Sequence, residues 1–378
     1  MFIERIELRN WIYALIPYFL VTILWTQIYY QQVIEMLGPY THSHYLAPKI
    51  SIEISNIFLN YLPRELVTLL ILLVFPMIIY TLLVKIFSAY VPVIWAVFMS
   101  LIALSIFDGY PFRDFLAGLI NGDNLTEFLM PEIVKFPIPQ ISTLWIITTF
   151  YFFEKIYAKN ADYLQIIFLS FLSGMTFFIN AIDAPFIIIF AISYFVSLLI
   201  NNKNKNNVIK FLTSIIILFT LSYFAISGID FDQVNYSTYD FPYYHFIAYF
   251  FLPLALITIQ YFVFKIDISE VLIRFRHVYL LMISEAIIIF AVSQGYIGLD
   301  MEILKSRILQ FFFHLYYYIP VIYYATKPVF LNKRDVKRSS PKELIIEITQ
   351  FLFVKRVYFI LMPLICLLLM YNSIRVFY

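Results

Sequence analysis

The sequence predicts an all-α protein, a polytopic transmembrane helix bundle of about eleven spans with a cytoplasmic N-terminus and interfacial helices in two long outer loops. Three observations carry this prediction. Hydrophobic residues are 62% of the 378 and charged residues only 13%, against roughly 45–50% and about 25% in average globular domains. Apolar runs close to the ~20 residues that a membrane crossing needs recur along the whole chain. Lys and Arg divide unequally between alternate loops. A water-soluble fold could not hide that much apolar surface. The composition therefore excludes a cytosolic enzyme, and equally a disordered or fibrous chain.

Taken in order, the candidate spans are 11–30, 66–86, 90–107, 142–157, 163–180, 184–200, 208–227, 243–264, 277–294, 308–326 and 355–372. The first has no small-residue cleavage signal and reads as a retained anchor. With the N-terminus inside, 19 Lys and Arg fall on the cytoplasmic side and 7 outside, which supports this orientation and an odd span number. The whole of 1–378 reads as one multi-pass integral membrane domain. The longest inner loop, 327–345, holds Lys327, Lys333, Arg334, Lys337, Arg338 and Lys342. It reads as an orientation signal against anionic headgroups, with partner docking as the other reading.

The outer loops 31–65 and 108–141 are long, and such loops commonly carry function. In the second, Phe112, Phe115, Leu116 and Leu119 follow helical spacing. That pattern predicts an amphipathic helix in the membrane interface, ended by the Asn121-Gly122-Asp123 turn. In the first, Ile54, Ile57, Phe58 and Tyr61 predict a short interfacial helix over 50–62.

Further counts narrow the classes. Cys366 is the single cysteine, so no intrachain disulfide forms. The net charge of +2 points to no nucleic-acid partner. Only 8 glycines are present, which counts against a rocking-bundle transporter, since those use Gly at helix interfaces and breaks. The 41 Phe and 31 Tyr are compatible with an AT-rich coding sequence or with aromatic binding surfaces. Phosphate-binding glycine loops, zinc-protease motifs and serine nucleophile elbows are missing.

Ionisable groups inside hydrocarbon are functional candidates by default. Glu285 lies mid-span in MISEAIIIF, and His314 lies in LQFFFHLYYY. Each is open to a functional or a structural reading, as a buried hydrogen-bonded group. Asp183, in FINAIDAPF, falls at an outer turn, where a helix cap is the simpler reading. Asp108 sits at the outer mouth of the third span, before Gly109, and also fits a turn. Glu154, near the inner end of its span, reads as a snorkelling side chain. Glu35 reads as a solvated helix end. His42 and His44 lack the neighbours of a metal motif. No cofactor motif is present, and a divalent cation is the one cofactor left open.

Carboxylates, arginine and histidine facing an outer cavity suit glycosyl transfer from a lipid-linked sugar. A carboxylate can act as general base on an acceptor hydroxyl. Arg or Lys can hold the polyprenyl phosphate leaving group. At these residues the layout resembles the bacterial polytopic glycosyltransferases of the GT-C type and related surface-polysaccharide enzymes. The first span precedes a long outer loop. A second outer loop returns through FPIPQIS (136–142) with Lys135 just upstream, and the stretch 293–320, SQGYIGLDMEILKSRILQFFFHLYYYIP, is similar to a late outer loop and His-containing span of that group. The resemblance implies an acidic residue or acidic pair in the first outer loop. Only Glu35 and Glu53 stand there, so Asp108 and Asp114 in the next loop are the replacements.

The expectation is an inverting transferase at the extracytoplasmic face, using a polyprenyl-linked sugar donor and a lipid or glycan acceptor among membrane lipids. Asp108 is the expected base, with Glu35 second. Arg113, Lys135 and Arg307 would hold phosphate, while Asp114, Asp183, Glu285 and His314 would line the substrate cavity. The rival expectations are a surface-polysaccharide polymerase or ligase, a transporter or lipid flippase, and a scaffold subunit.

Overall fold

The computed structural model describes residues 14–20, 22–23, 30, 53, 55–105, 140–157, 162–180, 183–201, 205–227, 250–264, 267–294 and 314–324. Among the described residues every regular element is a helix. We number the helices α1 Arg64–Ser88, α2 Val93–Ser105, α3 Gln140–Tyr157, α4 Tyr163–Ile179, α5 Ala184–Asn201, α6 Lys205–Ser227, α7 Leu252–Phe264, α8 Ile268–Arg274, α9 Arg276–Ser293 and α10 His314–Tyr317. Helical residues 14–20 precede α1, and 319–324 follow α10. The helices fall inside the apolar stretches of the sequence, as a chain of leucines, isoleucines and aromatics with few Gly would have it.

The 25 residues of α1 extend for about 37 Å. It is the one described helix long and apolar enough to cross a membrane. It starts after Pro63, which suits a position where the backbone N–H has no helical partner. Glu65 in its first turn and Lys85 in its last both interact favourably with the helix dipole. Residues 89–92 turn the chain into α2, with the Tyr90 and Val91 amides bonded back to the Phe87 carbonyl. The following helices build outward from this hairpin. α3 packs on α1, α4 on α3, and α5 and α6 on α4, while α9 packs on α5 and touches α8 and α10.

Two closures show how the elements are held. Asp162 caps α4 by accepting from the Gln165 amide at 2.8 Å, and the Gln165 side chain accepts in return from the Asp162 amide at 3.2 Å. At the centre, Phe150 and Phe153 of α3 meet Phe190 and Tyr194 of α5, with ring centroids 4.1 Å apart for Phe150–Phe190 and 4.7 Å for Phe153–Tyr194. The Tyr194 hydroxyl donates to the Phe153 carbonyl at 2.7 Å.

Within 31–65, the stretch expected to be the first outer loop, residues 55–59 are helical and the chain turns at Asn60 and Tyr61. This agrees with part of the interfacial helix expected over 50–62, and Ile57, Phe58 and Tyr61 are exposed there. The expected amphipathic helix of the second outer loop, the basic inner loop 327–345 and the span 355–372 lie outside the described residues.

Candidate functional site

Most side chains lining the inside of the bundle are apolar. Hydroxyl groups on the helices turn back onto their own backbone: Ser170 onto Ile166, Ser173 onto Leu169, Thr149 onto Trp145 and Ser222 onto Leu218. This leaves a small set of buried groups whose hydrogen bonds cross between elements.

The central one is Glu154, buried in the last turn of α3. Both of its oxygens accept from tyrosines. Tyr90, in the turn after α1, donates to Oε2, and Tyr316 of α10 donates to Oε1. His277, at the start of α9 and buried, places Nε2 3.1 Å from the Tyr90 hydroxyl and 3.7 Å from Glu154 Oε1. Rings enclose the cluster: Phe275 packs against Tyr90, and Phe150 against Tyr316. Four elements thus deliver one carboxyl, one imidazole and two phenols to a single buried point.

A second pair lies further along α9. The Glu285 carboxyl is fully buried and accepts at Oε2 from Tyr317. Among the described residues its Oε1 has no hydrogen-bond partner. Tyr316 and Tyr317, neighbours in sequence, therefore serve different carboxyl groups. At the same end of the bundle as Glu154, Lys85 and Lys155 both lie 5.7 Å from the centre of the Tyr151 ring, and Arg274 lies 4.3 Å from that of Tyr323.

The expected site residues fare differently. Asp183 is buried, accepts from Asn180 Nδ2 at 2.6 Å, and ties the end of α4 to the start of α5. Its carbonyl also takes the Ile187 amide at 3.3 Å, so it does sit at a helix start. Glu285 is buried mid-helix as its sequence position implied. His314 opens α10. Glu35, Asp108, Arg113, Asp114, Lys135 and Arg307, with His42 and His44, lie outside the described residues. The snorkelling reading of Glu154 is overturned, because both carboxyl oxygens are held inward by tyrosines rather than turned toward water.

Tyr90, His277, Tyr316 and Tyr317 were not singled out from the sequence. His277 sits in RFRH, where it reads as one more member of a basic helix end. The HLYYY run at 314–318 was the available signal, since three phenols beside a histidine exceed what an apolar span requires. Among the described residues no group of three or more His, Cys, Asp or Glu is placed to hold a metal ion. No protein-family model, curated protein or solved structure matches the chain.

Proposed function

We propose that this chain is a multi-pass protein of the bacterial inner membrane that transfers a sugar from a polyprenyl phosphate to a lipid or glycan acceptor at the extracytoplasmic face. The observation that supports the membrane setting is the outer surface of the helices. Ile209, Leu212, Ile216, Phe219 and Phe224 line the exposed face of α6, and Ile283, Ile287 and Phe290 that of α9. Water would penalise so large an apolar surface, and a bilayer removes the penalty. The back-bonded serines and threonines fit the same medium, because no water is present there to satisfy them.

The transferase chemistry rests on the second outer loop and on what the bundle leaves for it. Asp183, Glu154 and Glu285 are each engaged by a protein donor. We assign the base for an acceptor hydroxyl to Asp108, with Glu35 second, and place Arg113 and Lys135 of the same loop as Asp108 against the phosphate. The full chain in nanodiscs is offered polyprenyl-phosphate and polyprenyl-diphosphate sugars, with lipid and glycan acceptors, and release of free lipid phosphate is followed by mass spectrometry. Release is expected, and Asp108→Asn is expected to slow it roughly 10²–10⁴-fold. Absence of release from folded protein with every donor and acceptor contradicts the transferase reading. Release that survives Asp108→Asn contradicts the choice of base.

A second reading is favoured by one observation. Buried acid and histidine groups inside a membrane bundle mark ion pathways as often as binding sites, and the Glu154–His277 cluster is such a group. A transporter or lipid flippase would move its substrate between the faces of a vesicle without breaking the phosphate–sugar bond.

A further inference from the structure

The cluster around Glu154 has a property that follows from counting protons. A phenol carries one proton and can also accept. Tyr90 spends its proton on Glu154 Oε2, so toward His277 its oxygen accepts and Nε2 carries the hydrogen across 3.1 Å. The chain is then N–H of His277, O–H of Tyr90, and the carboxylate of Glu154. Starting from the imidazolium, which carries Nδ1–H as well, both hydrogens can shift one place: His277 becomes a neutral imidazole with Nε2 bare, Tyr90 donates to it, and Glu154 becomes a neutral acid that donates to Tyr90, so the two opposite charges cancel inside the cluster. No atom moves far and no charge leaves the cluster. One hydrogen has passed from nitrogen to phenol oxygen, and another from phenol to carboxyl.

We infer that His277, Tyr90 and Glu154 form a proton relay inside the bundle, with one proton shared between imidazole and carboxyl through the phenol. Tyr316 holds the other carboxyl oxygen and fixes Glu154 in line. The Phe150 and Phe275 rings pack against the two phenols. Among the described residues, the groups that meet at the relay include Tyr90 from the turn after α1, Glu154 from α3, His277 from α9 and Tyr316 from α10. Lys85 and Lys155 lie over the Tyr151 ring, and Arg274 over that of Tyr323. Under the N-in topology, this end of the bundle faces the cytoplasm. Glu285 is the internal comparison. It has a tyrosine donor at one oxygen, lies eight residues and about 12 Å further along α9 than His277, and has no histidine in its described contacts. The inference does not depend on the transferase reading and survives its failure.

The test is infrared difference spectroscopy of the full chain in nanodiscs, titrated with pH. The carboxylic-acid C=O band assigned to Glu154 by its loss in Glu154→Gln is expected to titrate. Its midpoint is expected to move by about one pH unit or more in His277→Gln, the shift one strong neighbour gives. In Tyr90→Phe, which keeps the ring and removes the shuttle atom, His277→Gln is expected to move that midpoint far less, because the path between the two groups is cut. The Glu285 band is expected to ignore both substitutions. If Glu154→Gln fails to fold, loss of the other carboxyl band in Glu285→Gln leaves the remaining titrating band to be followed in His277→Gln and Tyr90→Phe. A Glu154 carboxyl that keeps one protonation state over the whole range in which the protein stays folded overturns the relay. So does a midpoint unmoved by His277→Gln.

Discussion

Tyr317 illustrates how much one hydroxyl does inside this bundle. Its phenol is buried and donates to Glu285, whose other oxygen has no partner among the described residues. Tyr317→Phe keeps the ring and leaves the carboxyl with less compensation, so it is expected to destabilise the protein by about 1–3 kcal/mol. Adding Glu285→Leu removes the orphaned group and is expected to recover much of the loss, read as the thermal midpoint of the detergent-solubilised protein. At the surface, Asp267 caps α8 by accepting from the Ser269 hydroxyl at 2.7 Å and the Ser269 amide at 2.8 Å. Those two bonds hold its carboxyl below the usual carboxylate range. A carboxyl lowered in the folded state stabilises above its unfolded value and loses that contribution as pH falls through the folded one. The protection of the α8 amides, taken relative to their intrinsic exchange rates, is therefore expected to fall as the solution drops below about pH 4, and Asp267→Asn is expected to flatten that response. Glu285 was legible in the sequence because it is a lone acid in an apolar run. Glu154 was misread because it stands three residues from the end of α3, beside Lys155, where a long side chain normally reaches water. Its tyrosines are distant in sequence, Tyr90 by 64 positions and Tyr316 by 162, and no local pattern announces such contacts.

Between elements, α4 and α6 approach closely. A methyl group on Gly174 would lie 2.7 Å from Leu221 Cβ and 2.9 Å from its Cδ1. Ser170 and Gly174 present the small-residue spacing that lets helices close up in lipid, and Ser214, Leu218 and Ser222 are buried at matching spacing on α6. Gly174→Ala is expected to cost about 1–3 kcal/mol through overpacking. Leu221→Ala in the same chain is expected to return part of that, a non-additivity a double-mutant cycle would measure. The scarcity of glycine in the composition could not say that Gly174 closes this pair. The helix positions themselves were readable, since α1, α3, α4, α5, α6 and α9 each begin or end within a few residues of an apolar run. Their neighbours were not, because hydropathy gives the face of a helix only when one face is polar, and these helices are apolar nearly all round.

For the whole molecule, we propose a helix bundle set in a bilayer, with a proton relay at the cytoplasmic end and transferase loops at the other. The coarse fold class was legible from composition alone. The topology rests on the charge bias of the loops, and the proposed catalytic loop 108–141 is placed outside by the same argument. These placements stand or fall together, because adding or losing one span reverses the side of everything after it. The most direct measurement is labelling of single cysteines in a Cys366→Ser background with a membrane-impermeant thiol reagent on intact cells. The account predicts that Gly122→Cys, in the loop with Asp108 and Arg113, is labelled from outside, whereas Asn204→Cys, between α5 and α6, is labelled only after the membrane is opened. Labelling of both positions from the same side, or of Asn204→Cys alone in intact cells, would contradict it.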